Sequence, residues 1–546
     1  MKNKQNFEPP GRVLRLFCID PGLIQCSFGV DRVRNCADRM KGVLVEPLLP
    51  ILSATEADSA CATGACAQDS CGTDGCGSDT IASDTVALDT SESEFSRSGA
   101  AGLAEPARPA PAWLNSGSAP RCRLVTMGCK VNQYETQLVR EALLGNGYQE
   151  AATNEPADLN LINTCTVTAE ADSKARQYIR RFARQSPASS TIVFGCYAAR
   201  DRLALEQLPN VAAVVSDQRE LPDVLQRFGI VAWPSGIRRF DGHRRAFVKV
   251  QDGCVLRCTY CIIPQVRPGL RSRTPDEIEA EVRQLVETGY QEIVLTGIHL
   301  GHYGVELTRA RSGRARFRLP HLIQRLSAIP GRWRLRLSSL EADEIDAEFL
   351  DRVADCERLS PHFHLCLQSG SDAVLARMRR RYRMGEFLKN VEQIRQRFDR
   401  PALSTDVIVG FPNETAAEFA ETEAVCEQAG FMKIHAFPFS PRKGTPAAEI
   451  ADSLTAEIRQ DRVGRLMRLE QRLADRYAGE LVGSRLSVMV EARPAMQPGS
   501  VSGTACRFVT VDFPGQPSEI GQLIDVRVTA REKDRLLGVR ETVSCH

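Results

Sequence analysis

The chain has 546 residues, 43% hydrophobic and 25% charged, with a net charge of +2. That balance excludes fibrous and wholly disordered classes, and the length suits three or four domains. No apolar run approaches the roughly 20 residues of a membrane helix. Lys2 and Lys4 are followed by polar residues and Pro9-Pro10 rather than the apolar core of a secretory signal, so a cytoplasmic protein is expected. The net charge hides an asymmetry: residues 1–120 carry 10 Lys+Arg against 15 Asp+Glu, and the remainder 60 against 53. Nucleic-acid binding would therefore need a local basic patch rather than a global field. Nineteen cysteines in a reducing compartment point to metal ligation before disulfides.

Residues 1–120 divide in two. Apolar runs without a clear period occupy 11–53, and 54–120 is rich in Ala, Ser, Gly, Asp and Pro, the composition of a disordered extension. Within it Cys61, Cys66, Cys71 and Cys76 recur every five residues. A metal tract is one reading. A low-complexity repeat is the better one, since that spacing matches no familiar ligand geometry.

From Arg121 the pattern becomes strand alternating with helix. Strands are expected at 122–127, 159–163, 191–194 and 211–215. Helices are expected from Asn132 to about 144, with Glu135 completing a capping box, and at 169–184 and 221–228. Such alternation gives a parallel sheet with helices on its faces. Cys129, Cys165 and Cys196 each follow the carboxyl end of one predicted strand. In an open parallel sheet these ends share one edge, and ligands bind just outside it. A three-thiolate metal site is preferred over three unrelated core cysteines.

Residues 246–439 repeat the theme, with strands expected at 247–250, 292–296, 333–338, 363–367, 403–409 and 433–439 and a helix at 275–288. Six strands with helices between them suit an open (β/α)6 partial barrel, whose active site lies at the strand carboxyl ends. The loop after the first strand holds Cys254, Cys258 and Cys261, a CxxxCxxC spacing with Tyr260 before the last cysteine. Three thiolates fall one short of a closed zinc site, and suffice for three irons of a 4Fe–4S cluster with the fourth iron open. A zinc site borrowing a distant ligand remains the alternative. Gly297, Glu341, Gln368, Ser369 and Asp406 stand at the other strand ends, placed with Tyr260 to hold a cofactor. Residues 448–479 read as one long Arg- and Glu-rich helix. Alternating patterns over 480–543 then suggest a small five-stranded β-barrel, either an accessory domain or a binder of single-stranded nucleic acid.

Two groups of stretches resemble one known family. One is Met127-Gly128-Cys129-Lys130-Val131-Asn132-Gln133-Tyr134-Glu135 with Asn163-Thr164-Cys165 and Phe194-Gly195-Cys196-Tyr197. The other is the CxxxCxxC loop with Leu367-Gln368-Ser369-Gly370-Ser371 and Val409-Gly410-Phe411-Pro412. The whole resembles the radical S-adenosylmethionine methylthiotransferases, with 480–543 similar to a TRAM domain; nothing in 1–120 takes part. The resemblance implies an α/β protein of four parts: an extension to 120, an N-terminal α/β domain at 121–232, a radical barrel at 240–470 and a TRAM-like barrel at 471–543. It implies two 4Fe–4S clusters. The one at Cys254, Cys258 and Cys261 cleaves S-adenosylmethionine, and the one at Cys129, Cys165 and Cys196 holds the sulfur. An unidentified electron donor and a tRNA anticodon stem-loop are the implied partners. The glycine-rich run from Leu295 to Gly304 looks most like family members acting on threonylcarbamoyl-adenosine. His299, His302, Arg267, Arg271 and Arg273 are expected near the mouth to meet a carboxylate. Arg-dense stretches at 176–184, 267–273 and 377–383 are candidates for phosphate contacts.

Overall fold

The computed structural model describes residues 111–541 apart from 116, 153–154 and 310–316, together with a short antiparallel pair, Cys18–Ile19 with Leu23–Ile24. The Cys61–Cys76 tract lies outside the described residues. The folded body begins earlier than the boundary expected at 120. Trp113 stacks on Phe228 and meets Tyr148 edge-on, and Leu114 packs beside Gly229.

Five strands form the first sheet, all parallel, in the order β2-β1-β3-β4-β5: β1 (Arg121–Thr126), β2 (Gln149–Glu150), β3 (Leu159–Thr164), β4 (Ser190–Gly195) and β5 (Val211–Val215). Every residue of β3 is buried, because helices cover both faces. Leu159, Leu161, Ile192 and Phe194 pack with helix Lys130–Gly145, while Ile162 and Val193 pack with helix Ala169–Gln185 on the other side. The capping box expected at Asn132 does not form. The first helix starts at Lys130, and Asn132 lies buried in its first turn, donating from Nδ2 to Met127 O (2.8 Å) and Thr164 O (3.1 Å). Glu135 is buried and turned toward Lys249 and Arg267 instead of its own helix terminus. Two basic partners outweigh a backbone N–H as a destination for a carboxylate.

The second body is the partial barrel. Its strands are β6 (Ala246–Asp252), β7 (Arg271–Ser272), β8 (Glu292–Gly297), β9 (Arg334–Leu337), β10 (His362–Gln368), β11 (Ala402–Val409) and β12 (Lys433–Pro438). They form sheets β7-β6-β8-β9 and β10-β11-β12, parallel except for β7, and bridges Leu335–Leu359 and Leu340–Leu365 join the two. A capping box between Thr274 and Glu277 opens the helix Pro275–Glu287. The long helix expected at 448–479 is interrupted. A short turn at Pro446–Glu449 is followed by extended chain, and the helix proper is Ala456–Glu480, started by Thr455 Oγ1 accepting from the Ile458 N–H.

The last five strands, β13 (Arg485–Glu491), β14 (Ser500–Ala505), β15 (Thr510–Pro514), β16 (Leu523–Glu532) and β17 (Arg535–Arg540), close into a barrel ordered β13-β14-β15-β17-β16. It docks against the starts of the partial-barrel strands through a buried ionic group. Glu292 is fully buried and accepts from Arg334 Nε (2.7 Å) and Arg336 Nε (3.0 Å). The same two guanidiniums donate to Ser487, Thr504, Ala505 and Cys506 carbonyls of the small barrel. Phe508, in a left-handed turn (φ 60°), stacks on His362 with ring centroids 4.8 Å apart. No helix of the described residues is long and apolar enough to cross a membrane.

Candidate functional site

Gly128, Gly195 and Gly253 each stand immediately before a cysteine and each has a positive φ, of 98°, 92° and 78°. At Gly195 a Cβ would lie 2.3 Å from Asn163 Oδ1 and 2.5 Å from Thr164 O; at Gly253 it would lie 2.1 Å from Gly269 O. A side chain at either place is excluded by both conformation and space. The chain thus leaves β1, β4 and β6 in sharp turns with Cys129, Cys196 and Cys254 next to them.

The first sheet brings Cys129, Cys165 and Cys196 together. Burial pushes the Cys165 thiol up to about 12, and the neighbouring Cys196 and Cys129 add to it. Burial raises Cys196 as well, against the pull of Arg267. In the CxxxCxxC loop burial pushes Cys261 up to about 12, helped by Cys258 and Cys254. Burial likewise raises Cys258, opposed by Arg380. Such thiols coordinate a metal only by releasing their protons. Polar side chains reach sulfurs of both triads: Arg267 Nε donates to Cys196 Sγ (3.3 Å), Arg380 Nη1 to Cys258 Sγ (3.6 Å), and His299 Nδ1 lies 3.7 Å from Cys254 Sγ.

The spread of the triads tests what they fit. Three thiolates on one zinc ion at about 2.3 Å would bring their sulfurs to about 4 Å of one another. Among the described residues, the sets whose ligand atoms all lie within 4.8 Å are His299, His302, Glu344 and His364, Cys366, Asp406. Neither cysteine triad is that tight, so neither is drawn together around a single ion, and three thiolates with space between them can accept an iron–sulfur group. In the first histidine set, Glu344 Oε1 sits 2.5 Å from His299 Nε2, and the two imidazoles stack at 3.7 Å. Burial would lower His299, but Cys254 and Glu344 together raise it to about 9.

Contacts between the sheet domain and the barrel converge on the same place. Lys249 Nζ donates to Glu135 Oε1 (2.6 Å) and Asp252 Oδ2 (2.7 Å). Arg442 Nη2 donates to Thr166 Oγ1 (2.9 Å) and Asp172 Oδ2 (2.6 Å), beside Cys165. Cys196 and Ala199 pack on Ile262 and Val266, just after Cys261.

Of the residues expected to hold a cofactor, Tyr260 and Glu341 are gathered by one side chain. Arg380 donates to Tyr260 Oη (3.5 Å), is ion-paired with Glu341, and also reaches Tyr382 Oη (3.2 Å). Gly297 ends β8 beside Gln251, whose Oε1 accepts from the His299 N–H at 2.7 Å. Gln368 ends β10 with φ 62°, and Asp406 lies on β11 with Oδ2 3.2 Å from His364 Nε2. Ser369 differs from expectation. It is fully buried, its hydroxyl 3.4 Å from Thr422 Oγ1 and accepting from the Ser371 N–H, so its side chain is spent on holding the turn.

The cationic mouth expected from Arg267, Arg271, Arg273, His299 and His302 also differs. Arg267 is buried among acidic and amide partners, and Arg273 donates to Glu281 Oε2 (2.5 Å) and Tyr134 Oη (3.0 Å). The two histidines face Glu344, and Arg271 Nη2 stands 3.7 Å from Asp252. Burial cost explains the pattern, since cations near a core need carboxylate partners. In the other basic stretches Arg180, Arg181, Arg184, Arg379, Arg381 and Arg383 are exposed. Sequence reasoning read Glu135 as a helix cap and Arg380 as one of several phosphate-binding arginines, and it missed Asp252 and His364. Their only signal was proximity to strand ends, which does not say which side chains turn inward.

Residues 121–216 match the uncharacterized protein family UPF0004, and 248–425 match the radical SAM superfamily. The chain is 35% identical over 423 residues to the threonylcarbamoyladenosine tRNA methylthiotransferase MtaB of Bacillus subtilis (strain 168), covering 74% of this chain and 92% of that protein. It is 37% identical to the protein of the same name from Chlamydia pneumoniae over 420 residues, covering 76% and 97%. It is 33% identical to the tRNA-2-methylthio-N(6)-dimethylallyladenosine synthase of Corynebacterium diphtheriae (strain ATCC 700971 / NCTC 13129 / Biotype gravis) over 397 residues, covering 69% and 77%. Radical SAM membership implies a 4Fe–4S cluster and S-adenosylmethionine. With this extent of identity and two strand-end cysteine triads on parallel sheets, the chain belongs to the radical S-adenosylmethionine methylthiotransferases and is an enzyme of that kind.

Proposed function

We propose that the enzyme methylthiolates C2 of N6-threonylcarbamoyladenosine at position 37, 3′ of the tRNA anticodon, in the cytoplasm where that substrate resides. The observation that carries this reading is 35–37% identity over more than nine-tenths of two relatives named for that activity. In this reading Cys254, Cys258 and Cys261 hold the cluster of the radical superfamily, and Cys129, Cys165 and Cys196 hold a second. When bound, the first supplies the electron for reductive cleavage of S-adenosylmethionine, and the second keeps the sulfur to be transferred. An external one-electron donor is required. The parts of the chain are then an α/β domain at 121–232 extended by Trp113, a radical barrel at 240–470 and a TRAM-like barrel at 471–543.

The residues of this chain do the positioning. Arg380 gathers Tyr260 and Glu341 beside Cys258 and orients them toward a cofactor. His364, His435 and Asp406 stand on adjacent strands of the lumen, and Lys130 adds its charge near Asp406. Burial would raise Asp406, and His364, His435 and Lys130 hold it below its ordinary range. The Lys130 ammonium and the hydrogen-bonding imidazoles, in place of the expected arginines, suit a substrate carrying a carboxylate.

The test is reconstituted enzyme incubated with S-adenosylmethionine, reductant and tRNA bearing either the threonylcarbamoyl or the dimethylallyl modification, followed by nucleoside analysis. The expected product is the 2-methylthio threonylcarbamoyl nucleoside. Methylthiolation of the dimethylallyl tRNA alone would reassign the substrate, and methylthio-aspartate on a ribosomal protein would remove tRNA from the reading.

A further inference from the structure

Arg267 touches both triads. Its backbone carbonyl accepts from the Cys254 N–H at 3.1 Å, and its Nε–H donates to Cys196 Sγ at 3.3 Å. Its other four N–H groups are also spent. Nη1 donates to Glu135 Oε1 (2.8 Å) and Asp252 Oδ1 (3.0 Å); Nη2 donates to Glu135 Oε2 (2.8 Å) and Asn132 Oδ1 (3.0 Å). A guanidinium has five donors, and here all five have acceptors in a site where the residue is 5% exposed. The acceptors come from both bodies: Asn132 and Glu135 from the first helix, Cys196 from the end of β4, and Asp252 from the end of β6.

We infer that Arg267 is a positioning residue that fixes the two cysteine triads in one frame and raises the reduction potential of the group held by Cys129, Cys165 and Cys196. The inference rests on the reading that this triad holds a cluster. Hydrogen bonds to a ligating sulfur withdraw electron density and favour the reduced, more negative state. The fork geometry matters as well as the charge. Bidentate pairing with Glu135 fixes the plane of the guanidinium, and the fixed plane aims Nε at Cys196. Arg267 and Lys249 face Glu135 and Asp252, and Arg271 stands 3.7 Å from Asp252 on the outer side. Removing either member of the Arg267–Glu135 pair therefore tips the field at the sulfur, in opposite directions.

The test uses the full chain with Cys254, Cys258 and Cys261 replaced by alanine, so that only the second triad reports, reconstituted with iron and sulfide. Midpoint potentials are read by redox titration monitored by electron paramagnetic resonance. Arg267→Gln is expected to shift the one-electron equilibrium at least tenfold toward the oxidised form, about 59 mV downward. Glu135→Gln is expected to move it upward, and Arg267→Lys, which keeps charge without the fork, to fall between Arg267→Gln and the unsubstituted chain. A clamp that merely held the domains would not give opposite signs for the two partners. Bound iron with unmoved potentials, or with both moving the same way, overturns the inference. No iron in the background with Arg267 intact removes the second-cluster reading and the inference with it. If Arg267→Gln does not fold, the sign of the Glu135→Gln shift decides.

Discussion

Arg380 is buried between Glu341, Tyr382, Tyr260 and the Cys258 sulfur, and Glu341 has no other basic partner at that distance among the described ion pairs. Replacing it with methionine keeps the volume but leaves a carboxylate buried and uncompensated, a loss of about 3–5 kcal/mol. Arg380→Met is therefore expected to lower the Tm sharply and to weaken S-adenosylmethionine binding, read by calorimetry and equilibrium dialysis. The cysteines separate by role. Cys258→Ala should abolish 5′-deoxyadenosine formation and remove about half of the iron. Cys165→Ala should keep 5′-deoxyadenosine formation measurable while eliminating methylthiolation. Wild-type iron content and product from Cys165→Ala would exclude the second cluster. At this scale the cysteines were legible from spacing alone, because a thiol after a strand end is a one-dimensional pattern. The burial of Arg267 and the inward turn of Ser369 were not. Arg267 reads as one of several arginines in a basic stretch until Glu135, 132 positions away in sequence, is seen to face it.

The strand ends owe their shape to backbone conformation as much as to side chains. Gly195 combines φ 92° with a Cβ position 2.3 Å from Asn163 Oδ1, so Gly195→Ala forces either the turn or β3 to move. We expect that substitution to reduce iron bound by the first sheet and to spare 5′-deoxyadenosine formation, since β6 and its loop are untouched. Full iron content in Gly195→Ala would show that the turn tolerates a side chain. Strands of both sheets could be read in sequence because their runs are apolar on two buried faces. Helix starts were harder. Asn132 carries a capping signature, yet its amide is drawn to Met127 and Thr164 carbonyls, a tertiary demand that outweighs the local one. The break at Thr455 is not legible in sequence because residues 448–454 contain neither Pro nor Gly to mark it.

On the scale of the whole molecule, the C-terminal barrel is a structural part of the radical barrel. Burial would raise Glu292, but Arg334, Arg336 and Arg245 hold it well below the usual carboxylate range. A carboxyl depressed on folding contributes stability that is complete above its unfolded pKa and lost as pH falls toward its folded value. Resistance to unfolding should thus begin to drop below about pH 4.5. Glu292→Gln should remove that acid-side slope and destabilise the docked barrel by about 3–5 kcal/mol, read by denaturant unfolding at pH 7 and pH 4. An unchanged slope would assign acid sensitivity elsewhere. The docking has a temporal side too. Arg334, Arg336 and His362 are synthesised well before Ser487, Thr504, Cys506 and Phe508, the groups that cover them. A nascent chain emerges amino-terminal end first, so the radical barrel stays unsealed at its base until residues 487–508 have left the ribosome. Chains cut short by premature termination would carry the complete CxxxCxxC loop inside an unfinished, solvent-breached barrel, conspicuous to proteases before its chemistry could be assembled.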